Sequence, residues 1–174
     1  AGFFILMFTY ADYWRLNDFS VLPNWAHKWY FKSLDPTSEK HTFISSVPFL
    51  LAFVSVLNAP HISIVYGAAV ISCVADSVAS VIGKSFGEHK MKNFGLFPNK
   101  SLEGLVAGAF SAYIGVFLVF HNCLPASSTT WDNMFALVGA IIFVIVDAYG
   151  KAIADNILNT LIPAFSFWFM YSIM

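Results

Sequence analysis

An all-α, polytopic integral membrane fold follows from three features of this 174-residue chain. The composition is 58% hydrophobic and only 11% charged, against about 25% charged residues in a soluble domain. The apolar residues gather into stretches near the length that a helix needs to cross a bilayer. Every lysine and arginine falls in alternate connections between those stretches. A large core does not account for the missing charge, because a chain of this size keeps a large wet surface. Lipid over that surface does account for it. The whole of 1–174 reads as a single transmembrane helical domain. A net charge of −1 gives no reason to expect a nucleic-acid partner. Cys73 and Cys123 share no motif spacing, so neither a disulfide nor a thiolate metal site is expected.

About six transmembrane helices are expected, in order Ala1–Trp14, Thr42–Leu57, Ile62–Gly83, Leu102–Phe120, Met134–Gly150 and Ile157–Met174. The first starts at Ala1 inside an apolar run, without a methionine or a basic leader. It reads as a truncated helix, with an N-terminal part of the protein missing, rather than as a signal peptide. The second is short and contains Pro48. Either its polar flanks extend it or it tilts less than its neighbours. The remaining four are long enough, or nearly so, to span about 30 Å of hydrocarbon.

The connections set the orientation. Arg15, Lys28, Lys32 and Lys40 lie between the first and second segments. Lys84, Lys90, Lys92 and Lys100 lie between the third and fourth, and Lys151 between the fifth and sixth. The connections at 58–61 and 121–133 carry no basic residue. All of the positive charge is thus on one side, which the positive-inside rule makes cytoplasmic. The long connection after Arg15 interleaves Trp, Tyr and Phe with charges. That pattern suits a segment lying in the membrane interface, and equally an ordinary folded loop.

An ionisable residue at membrane depth is costly and is by default a functional candidate. Asp76 lies eight residues before Lys84, about 12 Å along a helix. Asp147 lies four residues before Lys151, about one turn inside. Glu103 and Asp155 fall at helix starts, where the helix dipole favours a carboxylate. All four are on the lysine-bearing side. Carboxylates and lysines gathered on one face are what a magnesium–polyphosphate site requires, since Mg²⁺ takes carboxylate, phosphate and water oxygens and lysine offsets phosphate charge. Asp76, Ser80 and Gly83 fall at i, i+4 and i+7 on one helix face. The surrounding small residues Ala75, Ser77 and Ala79 are also what close helix packing in a membrane uses.

"GKS" at 83–85 resembles the end of a phosphate-binding loop, but that motif needs a glycine five residues earlier, after a strand. The residue there is Val78, so the motif is absent. Gly83 and Gly87 are expected to end the helix and let a backbone turn approach a ligand. Ser101 is expected to cap the next helix, whose exposed amides are suited to an anion. His27, His41, His61, His89 and His121 are scattered over both sides without metal spacing on any one helix. They read as loop or interface residues, with His89 lying nearest the candidate cluster.

Three stretches carry a family resemblance: "ADSVASVIGKSFGEHK", then "NKSLEG", then "ADNILNTLIP". Together they resemble the CTP-dependent polyprenol kinase family, which includes dolichol kinase, phytol kinase and a CTP-dependent diacylglycerol kinase. Asp76, Ala79, Gly83 and Gly87 match the first signature. Lys100, Ser101, Glu103 and Gly104 match the second, and Asp155 and Asn156 the third. Ala75 stands where the family has glycine, Ala154 where it has a further aspartate, and Pro163 comes late.

The resemblance implies a membrane-embedded enzyme that transfers the γ-phosphate of CTP to the hydroxyl of a lipid alcohol. The expected catalytic residues are Asp76, Lys100 and Glu103. Ser80, Gly83, Lys84, Gly87, Ser101, Gly104 and Asn156 are expected around the nucleotide. Asp76, Asp155 and Asp147 are expected to hold Mg²⁺, with Asp147 compensating for Ala154. The active site would face the cytoplasm, at the endoplasmic reticulum in a eukaryote or the plasma membrane in a prokaryote. The first alternative is a phosphatidate cytidylyltransferase-like enzyme, which shares part of the first two stretches but would carry a Gly-His-Gly-Gly stretch absent here. The second is a small ion-coupled transporter using Asp76 and Asp147 as a relay. Neither the alcohol nor the oligomeric state is legible in these residues.

Overall fold

The computed structural model describes residues 3, 6–7, 9–10, 13, 46–91, 100–124, 127–149 and 152–174. Among them, all regular elements are helices. Six are named here: α1 (Ser46–Val56), α2 (Ile62–Ala69), α3 (Asp76–Ser85), α4 (Leu102–Cys123), α5 (Thr129–Tyr149) and α6 (Ala152–Ile173). A π-helical segment, Val70–Ala75, joins α2 to α3 without a break. The aromatic connection after Arg15, and the lysines in it, lie outside the described residues, as do Lys92 and Lys151.

Three helical stretches are long and apolar enough to cross a membrane: Ile62–Ser85, Leu102–Cys123 and Thr129–Tyr149. They answer to the third, fourth and fifth expected spans. The fifth begins five residues before Met134, because Thr129 and Thr130 are already helical. The sixth gives a shorter apolar stretch, Ile157–Ile173. The second yields only the 11-residue helix α1. Most of the first lies outside the described residues.

Helix α4 is central and packs on α2, the π segment, α3 and α5. Helix α6 closes the other side against α1, α2, α5 and the π segment. The connections sort the ends of the bundle. One end collects the C-terminus of α3, the start of α4, the end of α5 and the start of α6, and it holds Lys84, Lys90 and Lys100. This is the lysine end. The opposite end collects the turn at 57–61 and the turn between α4 and α5.

The buried stripe explains why these apolar runs fold together rather than lie separately in lipid. Ile64, Ala68, Ile71, Ala75 and Ala79 follow one face of the long α2–π–α3 rod. Ala112, Val116 and Phe120 follow one face of α4. Large side chains on the far faces, such as Val81, Phe110, Ile114, Leu137 and Phe165, stay exposed, as suits a lipid-facing belt. Without a hydrophobic drive between helices in lipid, close packing of small residues must supply the association.

Candidate active site

Helix α3 and the start of α4 cross at close range because glycine faces backbone there. A Cβ on Gly104 would lie 2.6 Å from the Ala79 carbonyl oxygen and 3.0 Å from the Gly83 Cα. One turn on, a Cβ on Gly108 would meet the Phe143 ring and, at 2.8 Å, the Cβ of Ala79. Gly87 is tighter still. A Cβ on it would strike the Gly83 carbonyl oxygen and sit 2.6 Å from Ser101 Oγ. Helix α3 runs through Gly83 to Ser85, so Gly83 does not end it. What Gly83, Gly87 and Gly104 have in common is lack of room for a side chain.

The segment Lys100–Gly104 ties this crossing to its surroundings, each polar residue by a different bond. Lys100 Nζ donates to both the carbonyl and the carboxylate of Asp147, at 2.6 and 2.7 Å. Asp147 is buried near the end of α5 and Lys100 is partly buried, so this pair fixes the start of α4 to α5. Ser101 is buried and accepts the Gly104 amide at 3.2 Å, as the N-cap expectation requires. Glu103 accepts the His89 amide at 3.1 Å and pairs with the His89 ring at 2.6 Å. Two backbone bonds, Met91 N–H to the Lys100 carbonyl and Leu102 N–H to the His89 carbonyl, lay the loop antiparallel against this segment. The carboxylate of Glu103 raises the pKa of the exposed His89 above its ordinary 6.5.

Asp76 is half-buried and is the first residue after the π segment. Its amide donates to the Ile71 carbonyl, five residues back. A π turn holds one residue more than an α turn and is frequent at functional sites. It rotates all that follows by about one residue, about 100°. Asp76 therefore faces a direction that a continuous α-helix from Ile62 would not give it. Ser80 and Lys84 are exposed on α3, and Lys84 in the last turn meets the negative end of the helix dipole.

The structure thus brings together Gly83, Gly87, Lys100, Ser101, Glu103, Gly104 and Asp147. Of the expected metal-holding carboxylates, Asp147 pairs through Oδ1 with Lys100. Among the described residues no three His, Cys, Asp or Glu side chains are grouped to hold a metal ion. Asp155 and Asn156 fall in the first turns of α6, where their side chains lie outside the described residues.

Several residues were missed by the sequence reading. The π segment has no local signal, since Val70–Ala75 is an unbroken run of small and apolar residues. His89 carried only its nearness to the cluster. Asn159 is 2% exposed and, among the described residues, its Oδ1 meets no donor. It did have a signal, as a lone amide in an apolar run four residues before Pro163. At the opposite end Asp132, 1% exposed, accepts from Ser127 and pairs with His121.

Comparison with known proteins gives the chemical context. A family model described as the cytidylyltransferase family matches residues 3–157. The dolichol kinase sec59 of Schizosaccharomyces pombe is 27% identical over 142 residues, covering 75% of this chain and 27% of that enzyme. The chain spans about a quarter of the length of the curated relative it matches. No solved structure matches it. The three motifs that resemble CTP-dependent polyprenol kinases lie largely within the matched region, and the apolar helices mark an integral membrane protein.

Proposed function

The chain belongs to the cytidylyltransferase family, and from that premise we propose a membrane-embedded lipid kinase that uses CTP to phosphorylate a lipid alcohol. The observation that supports this most is the lysine end itself. Motif residues from separate parts of the chain meet there: Gly83 and Gly87 from α3 and its loop, and Lys100–Gly104 from α4. Similarity to a dolichol kinase favours an alcohol as acceptor.

In this reaction the lipid oxygen forms a bond to the γ-phosphorus of CTP. The bond from that phosphorus to the bridging β-oxygen breaks and CDP leaves. The hydroxyl proton passes to a base, and Asp76 is the carboxylate to test first. Such transfer depends on in-line positioning and on charge stabilisation more than on covalent help from the protein. Lys100, anchored by Asp147, would place positive charge beside the phosphates, with the exposed Lys84 as a second cation. Ser101 and Glu103 hold the start of α4, and Gly83, Gly87 and Gly104 allow its backbone close to α3. Ser80 and Asn156 remain candidates at the nucleotide. Magnesium would supply further charge stabilisation, with Asp76 and Asp155 as its proposed carboxylates. Asp147, whose Oδ1 accepts from Lys100, is the third proposed carboxylate. The positive-inside rule puts this end toward the cytoplasm.

The family description supports a second reading, a cytidylyltransferase acting on a lipid phosphate. The products separate the two. Protein in bilayers is given γ-labelled CTP with dolichol, phytol or diacylglycerol, and separately with phosphatidate. Label entering a lipid together with CDP supports the kinase. Pyrophosphate released with phosphatidate, and no lipid label, establishes the transferase instead. Asp76→Asn should abolish transfer in protein that still inserts and folds.

A further inference from the structure

Asn159 of α6 is a buried acceptor with nothing to accept. Its side chain is 2% exposed and, among the described residues, Oδ1 meets no donor. Buried polar atoms are nearly always paired, so one that is not calls for an explanation. A second acceptor is freed at the same residue by an independent cause. Pro163 lies inside α6, four residues on, and has no N–H to give to the Asn159 carbonyl. The bundle therefore holds a buried acceptor, Asn159 Oδ1, on a stretch of α6 that also buries Thr160, Pro163 and Phe167.

Its depth is informative. Asn159 is seven residues from the start of α6 at Ala152, about 10 Å from the lysine end. Asp76 is nine residues from the end of α3 at Ser85, about 13 Å from the same end. The π segment that leads directly into Asp76 packs on α6. The orphan acceptor and the candidate base are thus at similar depth, with Asp76 following directly on the π segment that packs against α6.

We propose that Asn159 binds the hydroxyl of the lipid alcohol. The ligand must bring an O–H or N–H donor into a membrane-embedded, apolar surrounding, and an alcohol at the end of a hydrocarbon chain does both. Asn159 accepts the hydroxyl hydrogen bond and holds the oxygen at the depth of Asp76. Asn159 is then a substrate-contacting residue, separate from the nucleotide-contacting residues at the lysine end. The inference rests on the kinase reading.

The test is Asn159→Leu, which keeps the branching and the number of heavy atoms and removes both donor and acceptor of the side chain. Wild type and variant are placed in phospholipid nanodiscs with and without dolichol. Because Oδ1 holds no donor among the described residues, the variant should unfold at the same temperature as wild type or higher. Dolichol should raise the unfolding temperature of wild type and not of the variant. In the transfer assay the KM for dolichol should rise about tenfold, the weight of one neutral hydrogen bond, with the KM for CTP unchanged. A variant that fails to fold, or that loses CTP affinity, overturns the proposal, since Asn159 would then be structural or nucleotide-facing. Equal stabilisation of both proteins by dolichol, or of neither, also overturns it and leaves a trapped water as the partner of Oδ1. The kinase reading fails separately, if wild type transfers label to no alcohol.

Discussion

At the lysine end, α3 and α4 meet through Gly83 and Gly104 with backbone against backbone. At the opposite end, α4, α5 and α6 meet through Phe120, Phe135 and Phe167. Phe120 and Phe135 stack at 3.9 Å, and Phe167 stands edge-on to both. Each end also buries one aspartate. Asp147 is bound by the lysine of a motif segment. Asp132 is bound by Ser127 and His121, next to a stack of His121 on Phe117. Rings fill the space between helices, whereas glycines let the two backbones close that space themselves. Similar burial of a carboxylate thus accompanies two kinds of packing, rings at one end and backbone with a lysine ion pair at the other.

The largest effect that would break this comparison is at the two aspartates. Asp147→Ala should cost toward the upper end of about 1–3 kcal/mol, because it removes the charged acceptor of Lys100 while the bond to the residue-147 carbonyl stays, and transfer should be lost. Asp132→Ala should cost about 1–3 kcal/mol through the hydrogen bonds removed. Its folded fraction should transfer phosphate at the wild-type rate. Unfolding midpoints and activity per folded molecule read both, and an inactive but folded Asp132→Ala protein would erase the distinction between the ends.

The glycines come next. Gly104→Ala should destabilise toward the upper end of about 1–3 kcal/mol, because the clash at Ala79 is with backbone that cannot turn away. Gly67→Ala meets the rings of Phe167 and Phe120 at 2.9 and 3.0 Å, and those rings can shift a little. It should cost less, toward the lower end of the same range of about 1–3 kcal/mol. Denaturation of the two variants in the same detergent checks the order.

Smaller again is the cap. Ser101→Ala should cost about 1 kcal/mol, seen as faster hydrogen exchange of the Gly104 amide. The smallest effect is on pH. The folded pKa of His89 is raised by Glu103. The bond therefore stabilises fully below the unfolded value, about 6.5, and its contribution is lost as pH rises through the raised folded value. Since His89 is well exposed, the change should be slight. Wild type should lose a little unfolding temperature relative to Glu103→Gln on going from acid to alkaline pH. A constant difference would show that the pair does not titrate.

Much of the fold was legible because its cause is local. The charge deficit, the apolar runs and the one-sided lysines required helices in lipid, and the long spans Ile62–Ser85 and Leu102–Cys123 follow those runs closely. The cap at Ser101 was legible for the same reason, as a hydroxyl three residues from the amide it accepts. Gly83 and Gly87 were legible as special positions but not in their role. A sequence shows that a side chain is missing, not which neighbour would have collided with it.

Composition and the placement of charge sufficed for a helical membrane protein, and three motif stretches marked its candidate polar positions. Only the tertiary structure decided who meets whom. It paired Lys100 with Asp147 across 47 residues. It wound Val70–Ala75 into a π turn that sets the direction of Asp76, and it left Asn159 buried without a donor among the described residues. Periodicity and composition act through neighbours in the chain, but a bond between distant residues exists only once the helices have packed. Charge, carboxylate and amide then find partners according to the space that the small residues leave.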